Sequence, residues 1–128
     1  MTTPNAEDAR LSRLSAICLA LPEAVREQWG SLTSFSVRKK KFAYFLDNHH
    51  GDGIVALCWK AAPGENAARA AADPRRFSIP AYIGHQGWAG LRLDRGPIDW
   101  DEVAELAEYS YRLAAPKRLA ALLARAPL

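Results

Sequence analysis

The stretch LTSFSVRKKKFAYFLDNHHGDGIVALCWK, residues Leu32 to Lys60, decides the fold. Phe35 and Val37 share one side of an extended chain; after them Phe42, Tyr44 and Leu46 fall on one side and Ala43 and Phe45 on the other, the period of two that a β-strand imposes. Between the two runs stand Arg38, Lys39, Lys40 and Lys41. Four like charges between strands read as a hairpin tip turned to solvent, where they also discourage edge-to-edge sheet pairing. Asp47 to Gly53 is a loop by composition. Ile54 to Lys60 is a continuous apolar run and suits a central strand covered on both faces.

Upstream, Val25, Glu27 and Trp29 alternate with Ala24, Arg26 and Gln28 in a further strand, and Gly30-Ser31 turns the chain. Before it a helix is expected from near Thr3 or Asn5, with Thr3 as cap ahead of Pro4 and with Leu11, Leu14, Ile17, Cys18 and Leu21 on one face. Pro22 stops it. Downstream, the alanine-rich segment Pro63 to Ala72 predicts a helix that docks closely but buries little. Phe77 to Ile79 and Trp88 to Leu93 read as strands, with Gly84 and Gly87 bracketing a turn. Asp99 caps a long helix, with Glu102 three residues on as its capping-box partner and Val103, Leu106, Ala107, Ser110 and Leu113 as the buried stripe. Pro116 breaks that helix; Lys117 to Arg125 resumes it, with Leu119, Leu122 and Leu123 inward. Strands that cluster instead of alternating with helices define an α+β class: two layers, a largely antiparallel sheet of about five to six strands, and helices packed mainly on one face.

The 128 residues, 49% apolar and 24% charged, fit a single domain over 1–128 with an ordinary core. A net charge of +3 is mildly basic and compatible with a polyanionic partner. Cys18 and Cys58 sit among apolar neighbours and are expected to be reduced core residues. Most of the tryptophans and tyrosines are expected in the core as well. No apolar run reaches the span of a membrane helix, and the N-terminal segment has no secretory pattern. The expectation is a cytoplasmic monomer without a membrane partner.

No glycine-flanked serine elbow and no cysteine–histidine motif occurs, so no catalytic residue is assigned and the chain is not expected to be an enzyme. Zinc spacings and phosphate-binding glycine loops are missing; His49 and His50 are adjacent and would point apart on a strand, so neither metal nor cofactor is expected. The cations remain. Arg38, Lys39, Lys40 and Lys41 at the hairpin tip, Lys60 at the end of the central strand, Arg75 and Arg76 after the second helix, and Lys117 and Arg118 near the end are the candidate nucleic-acid contacts, chiefly to a DNA backbone. The alternative is a small-molecule or protein partner in a cleft near Tyr82, His85 and Trp88, where aromatic residues flank the glycine turn.

Five stretches, in order, carry a resemblance: LSAICLALPEA, FSVRKKKFAYF, AADPRRFSIPAYIG, GWAGLRLD and YSYRLAAPKRLAALL. Together they resemble the MmcQ/YjbR family of small bacterial proteins. The resemblance implies a compact α+β fold with an antiparallel sheet, and a DNA-binding label that rests on likeness to double-wing domains. It places Lys39, Lys40 and Lys41 in the basic hairpin and Lys117 and Arg118 in the terminal motif. It brings no agreed catalytic residue or cofactor. Many relatives have glycine at the hairpin tip, where this chain has only cations.

Overall fold

The computed structural model describes residues 7–48, 51, 53–80 and 83–123. The elements follow the order α1 (Ala9–Leu19), β1 (Ala24–Trp29), β2 (Leu32–Val37), β3 (Lys40–Asp47), β4 (Val55–Lys60), α2 (Glu65–Ala72), β5 (Phe77–Ser78), β6 (Trp88–Arg92), α3 (Trp100–Ala114) and α4 (Lys117–Leu123). The six strands form one antiparallel sheet in the order β1-β2-β3-β4-β6-β5, and the four helices pack against it. The first four strands are a meander. The chain then leaves through α2, forms the short β5 at the edge, and returns to lay β6 beside β4.

Cross-strand pairing sorts the side chains. Ala43 stands opposite Trp59 and Phe45 opposite Leu57, while Trp59 and Leu57 stand opposite Ala89 and Leu91. These residues form the helix-side core with Leu14, Val103, Ala107 and Tyr111. The other face carries Val25, Glu27 and Trp29 of β1, Ser34 and Ser36 of β2, Tyr44 of β3 and Cys58 of β4. All of β4 except Lys60 is buried, as its unbroken apolar run predicts.

One element departs from simple alternation. The β2–β3 register shifts between Phe35 and Ser36: Phe35 pairs with Ala43 and Ser36 with Lys41, leaving Phe42 as the extra residue of a bulge. Phe42 therefore joins the helix-side core, edge-on to Tyr111 at 5.3 Å between ring centroids, and does not share the side of Tyr44 and Leu46. Periodicity carries no sign of an inserted residue.

The termini of the helices also shift. Asp8 caps α1 by accepting from the Arg10 amide at 2.8 Å; Thr3 and Pro4 lie outside the described residues. Gly64, at φ 80°, precedes α2. Asp99 caps α3 by accepting from the amides of Asp101 and Glu102, but the Glu102 carboxylate turns to Arg76. In α4, Leu119 is buried and Leu122 is 48% exposed, contrary to its expected inward place.

Asp94 fastens the far end of the sheet. It accepts from the Arg92 guanidinium at 2.8 Å and from the Val55 amide at 3.2 Å. Arg92 holds its carboxyl below the ordinary aspartate range against the opposing effect of burial, with help from the Val55 N–H. A carboxylate with a lowered folded-state pKa contributes stability above its ordinary value, and that contribution is lost as pH falls through the lowered one. Asp94→Asn is therefore expected to be less stable at neutral pH and to lose less stability than the parent below about pH 4. Urea unfolding across that range, read by circular dichroism, checks it; parallel curves would contradict it.

Candidate functional site

The bulge and α3 together open a cleft at one end of the sheet. Ser110, 1% exposed, lies on α3 where the β3–β4 ladder stops. Its hydroxyl donates to the Phe42 carbonyl at 2.6 Å and accepts from the Lys60 amide at 2.9 Å. The hydroxyl thus joins two strands at the position after the last direct pair, Ala43–Trp59, and satisfies both backbone groups. Beside it lies a cleft of about 230 Å³ lined by Lys40, Lys41, Lys60, Trp88, Leu113 and Ala114. Trp88 stands directly opposite Lys60 and packs on Tyr44, with ring centroids 5.0 Å apart.

A second, larger cleft of about 470 Å³ adjoins the first through Lys60 and Leu113 and runs past His85, Asn66 and Tyr109. His85 is exposed within a single 3-10 turn, Gly84–Gln86, closed by Gly87 at φ 93°. Asn66, almost fully buried, donates from Nδ2 to the carbonyls of Gly84 and Trp88 at 2.9 and 3.0 Å. This one side chain fixes the alanine-rich α2 to the floor of the cleft. Arg69 adds a second hold, its guanidinium 5.5 Å from the Trp59 ring and 5.2 Å from the Phe77 ring. The helix is pinned by polar groups that an inventory of apolar area overlooks.

The cations divide into two groups by position. Lys40, Lys41 and Lys60 meet at the first cleft, with Lys39 in the adjoining turn. The hydrogen bond from Arg38 holds the Glu23 carboxyl below its ordinary range, and Arg118 adds a smaller attraction, which puts the start of α4 toward the same end. Arg75 and Arg76 are elsewhere. The Arg76 carbonyl accepts from the Arg92 amide, and Arg92 lies at the end of β6 away from Trp88. Trp88 and Arg92 are four residues apart, about 13 Å along a strand.

Several of the charges are already matched. Arg38 Nε donates to Glu23 at 2.6 Å, Lys41 to Glu27 at 3.0 Å, and Arg76 is paired with both Asp73 and Glu102. Lys39, Lys40, Lys60, Lys117 and Arg118 pair with no carboxylate among the described residues. Of the ligand candidates, Trp88 is 6% exposed and His85 is exposed, and both line clefts; Tyr82 lies outside the described residues. His49 and His50 lie outside them too, and no group of three potential metal ligands occurs among the described residues. Cys18 and Cys58 are buried and unpaired, and burial pushes both thiols up to about 12.

Leu113 is the residue that periodicity misplaced. It is 54% exposed at the junction of the two clefts, and Tyr111 is buried instead. At about 100° per residue, Ala114 continues the line of Val103, Ala107 and Ser110, while Leu113 falls on the same flank as the buried Leu106, so helix angle alone does not signal its exposure. Trp29, 55% exposed, and Tyr109, 41% exposed, likewise stand outside the core that their size suggested.

A family model described as YjbR matches residues 19–113. The crystal structure of the Deinococcus radiodurans protein DR2400, a DUF419 domain, superposes with a TM-score of 0.68 at 19% identity, over 89% of this chain and 87% of that one. At that identity the likeness concerns the fold. No curated protein matches. No described helix is long and apolar enough to cross a membrane.

Two substitutions separate architecture from charge. Ser110→Ala strands the Lys60 N–H and the Phe42 carbonyl and is expected to cost about 1–3 kcal/mol in urea unfolding. Lys39→Gly relieves a left-handed residue at φ 69° and is expected to stabilise the chain by roughly 0.5–1 kcal/mol while removing one cation from the tip.

Proposed function

The chain belongs to the YjbR family, and we propose that it binds nucleic acid through the phosphate backbone, with little base specificity. The observation that carries this reading is the convergence of Lys40, Lys41 and Lys60 on one open cleft beside the basic turn. Three lysines that line one concave surface raise the local potential more than the same residues dispersed, with Lys40 and Lys60 free of carboxylate partners among the described residues and Lys41 paired with Glu27. The small net charge therefore understates the field at this end of the molecule. The DNA-binding label that the family resemblance implies agrees with it.

The reading draws on seven of the nine candidate cations: Arg38, Lys39, Lys40, Lys41, Lys60, Lys117 and Arg118. Arg75 and Arg76 are left out because they lie toward the other end of the sheet and Arg76 is held by two acids. It is a reading of a binding module and not of an enzyme; the two thiols, the strongest nucleophiles in the chain, are buried and held protonated.

Fluorescence anisotropy with labelled duplex and single-stranded DNA in about 0.1 M salt tests it. The five cations without a carboxylate partner set an expected log–log salt slope of about −4.5 if each meets a phosphate. Lys40→Glu, Lys41→Glu and Lys60→Glu combined are expected to weaken binding at least about tenfold. Binding that is absent, or indifferent to these three changes, removes the proposal.

The larger cleft favours a second reading, a small acidic metabolite whose apolar body lies on Leu113 and Tyr109 with its charge on Lys60 or His85. A rise in thermal midpoint with such a metabolite, lost in His85→Ala, would support it over the first.

A further inference from the structure

The face of the sheet turned away from the helix-side core is organised around a floor of small residues. Ser34 stands between Glu27 and Tyr44, and Tyr44 stands opposite Cys58, which in turn faces Gly90. Gly90 admits the close approach of β5: a Cβ there would lie 2.7 Å from Ser78 Oγ. Large side chains rise around this floor. Trp29 at the rim is 55% exposed, the most exposed aromatic residue of those described. Lys41 reaches across the face, its Nζ 5.3 Å from the Trp29 ring centroid and 3.0 Å from Glu27. Ser34 is 1% exposed and its hydroxyl has no hydrogen-bond partner, an uncompensated polar group within the same patch.

An indole held in water beside an ammonium group contributes little to folding. Lys41 joins this face to the cationic cleft: it lines the cleft and its Nζ reaches toward Trp29, which stands level with Leu46, Ala56 and Arg92 at the other end of the sheet. An extended polyanion seated on Lys40 and Lys60 that ran along the strands past Lys41 would reach Trp29 about 13 Å further on, and of the polyanions only a single nucleic-acid strand presents unpaired flat rings along with its phosphates.

Resting on the nucleic-acid reading, we propose that the exposed β1 side of this face takes a single strand, with one base stacked on Trp29 and the neighbouring phosphate drawing Lys41 from Glu27. Stacking on an exposed indole discriminates poorly among bases. A duplex keeps its bases paired and reaches only the lysines. Single strands are therefore preferred, and Trp29 contributes only to that preference. Glu27 opposes binding by holding Lys41, so its neutralisation strengthens it.

The test uses the whole chain and an end-labelled oligothymidylate of about ten nucleotides, beside a hairpin duplex of similar length. Trp29→Ala is expected to weaken single-strand binding roughly tenfold and duplex binding by less than about twofold. Trp29→Phe restores most of the loss, and Glu27→Gln tightens binding. Circular dichroism of each variant confirms folding, which an exposed residue leaves intact. Unchanged single-strand affinity in Trp29→Ala, with binding still abolished by the three lysine-to-glutamate changes, overturns the stacking site and leaves the backbone reading standing. Failure of the parent chain to bind either nucleic acid overturns both. A sedimentation profile that shows a dimer, made monomeric by Trp29→Ala, assigns the face to a second copy and also overturns the proposal.

Discussion

The hydroxyl of Ser110 holds together the part of the molecule on which the rest depends. Antiparallel strands normally close on each other through their own amides and carbonyls. Here a side chain from α3 joins β3 to β4 beyond the last direct pair, donating to Phe42 and accepting from Lys60. One atom thereby docks the longest helix on the sheet and borders the space that Lys40, Lys41 and Lys60 share. The neighbouring Tyr111 extends the same hold. Its hydroxyl donates to the Pro22 carbonyl at 2.6 Å, and its ring meets Phe42. The bulge that turns Phe42 toward the helices belongs to this arrangement, since an unbulged strand would present Phe42 to the other face.

The electrostatics follow from that geometry. Ion pairs at the surface contribute little to stability, but they decide which cations have spare capacity for a ligand. Arg38, Lys41 and Arg76 face carboxylates, whereas Lys39, Lys40 and Lys60 gather near the cleft with no such partner among the described residues. Glu27 occupies an intermediate role. It holds Lys41 near Trp29 at an exposed site, where the attraction is weak enough for a phosphate to compete.

Much of this architecture was legible in the residues. The alternation of Phe35, Val37, Ala43 and Phe45, the unbroken apolar run of β4, and the Asp99 cap gave the meander and the long helix, because each is a local pattern with a local cause. The bulge was not legible, since an extra residue leaves composition unchanged and appears only when two strands are aligned. The site was harder still. The basic hairpin was visible as a run, but the proximity of Lys60 to Lys40 depends on strand register, and the separation of Arg75 and Arg76 depends on how β5 meets β6. Ser110 and Asn66 read as ordinary helix residues. Their importance lies in backbone groups far along the chain, Phe42 for one and Trp88 for the other.

The strand order has a consequence for how the chain is made. β4 is buried at every residue but Lys60, yet one of its two neighbours is β6, whose residues emerge from the ribosome only after α2, β5 and the glycine turn. At about 5–20 residues per second, Val55–Lys60 waits for seconds with an unpaired apolar border. The nascent meander is therefore sticky along that margin until Trp88–Arg92 arrives to seal it. Arrival of the late strand, and not closure of the basic hairpin, ends the interval in which newborn copies can adhere to one another.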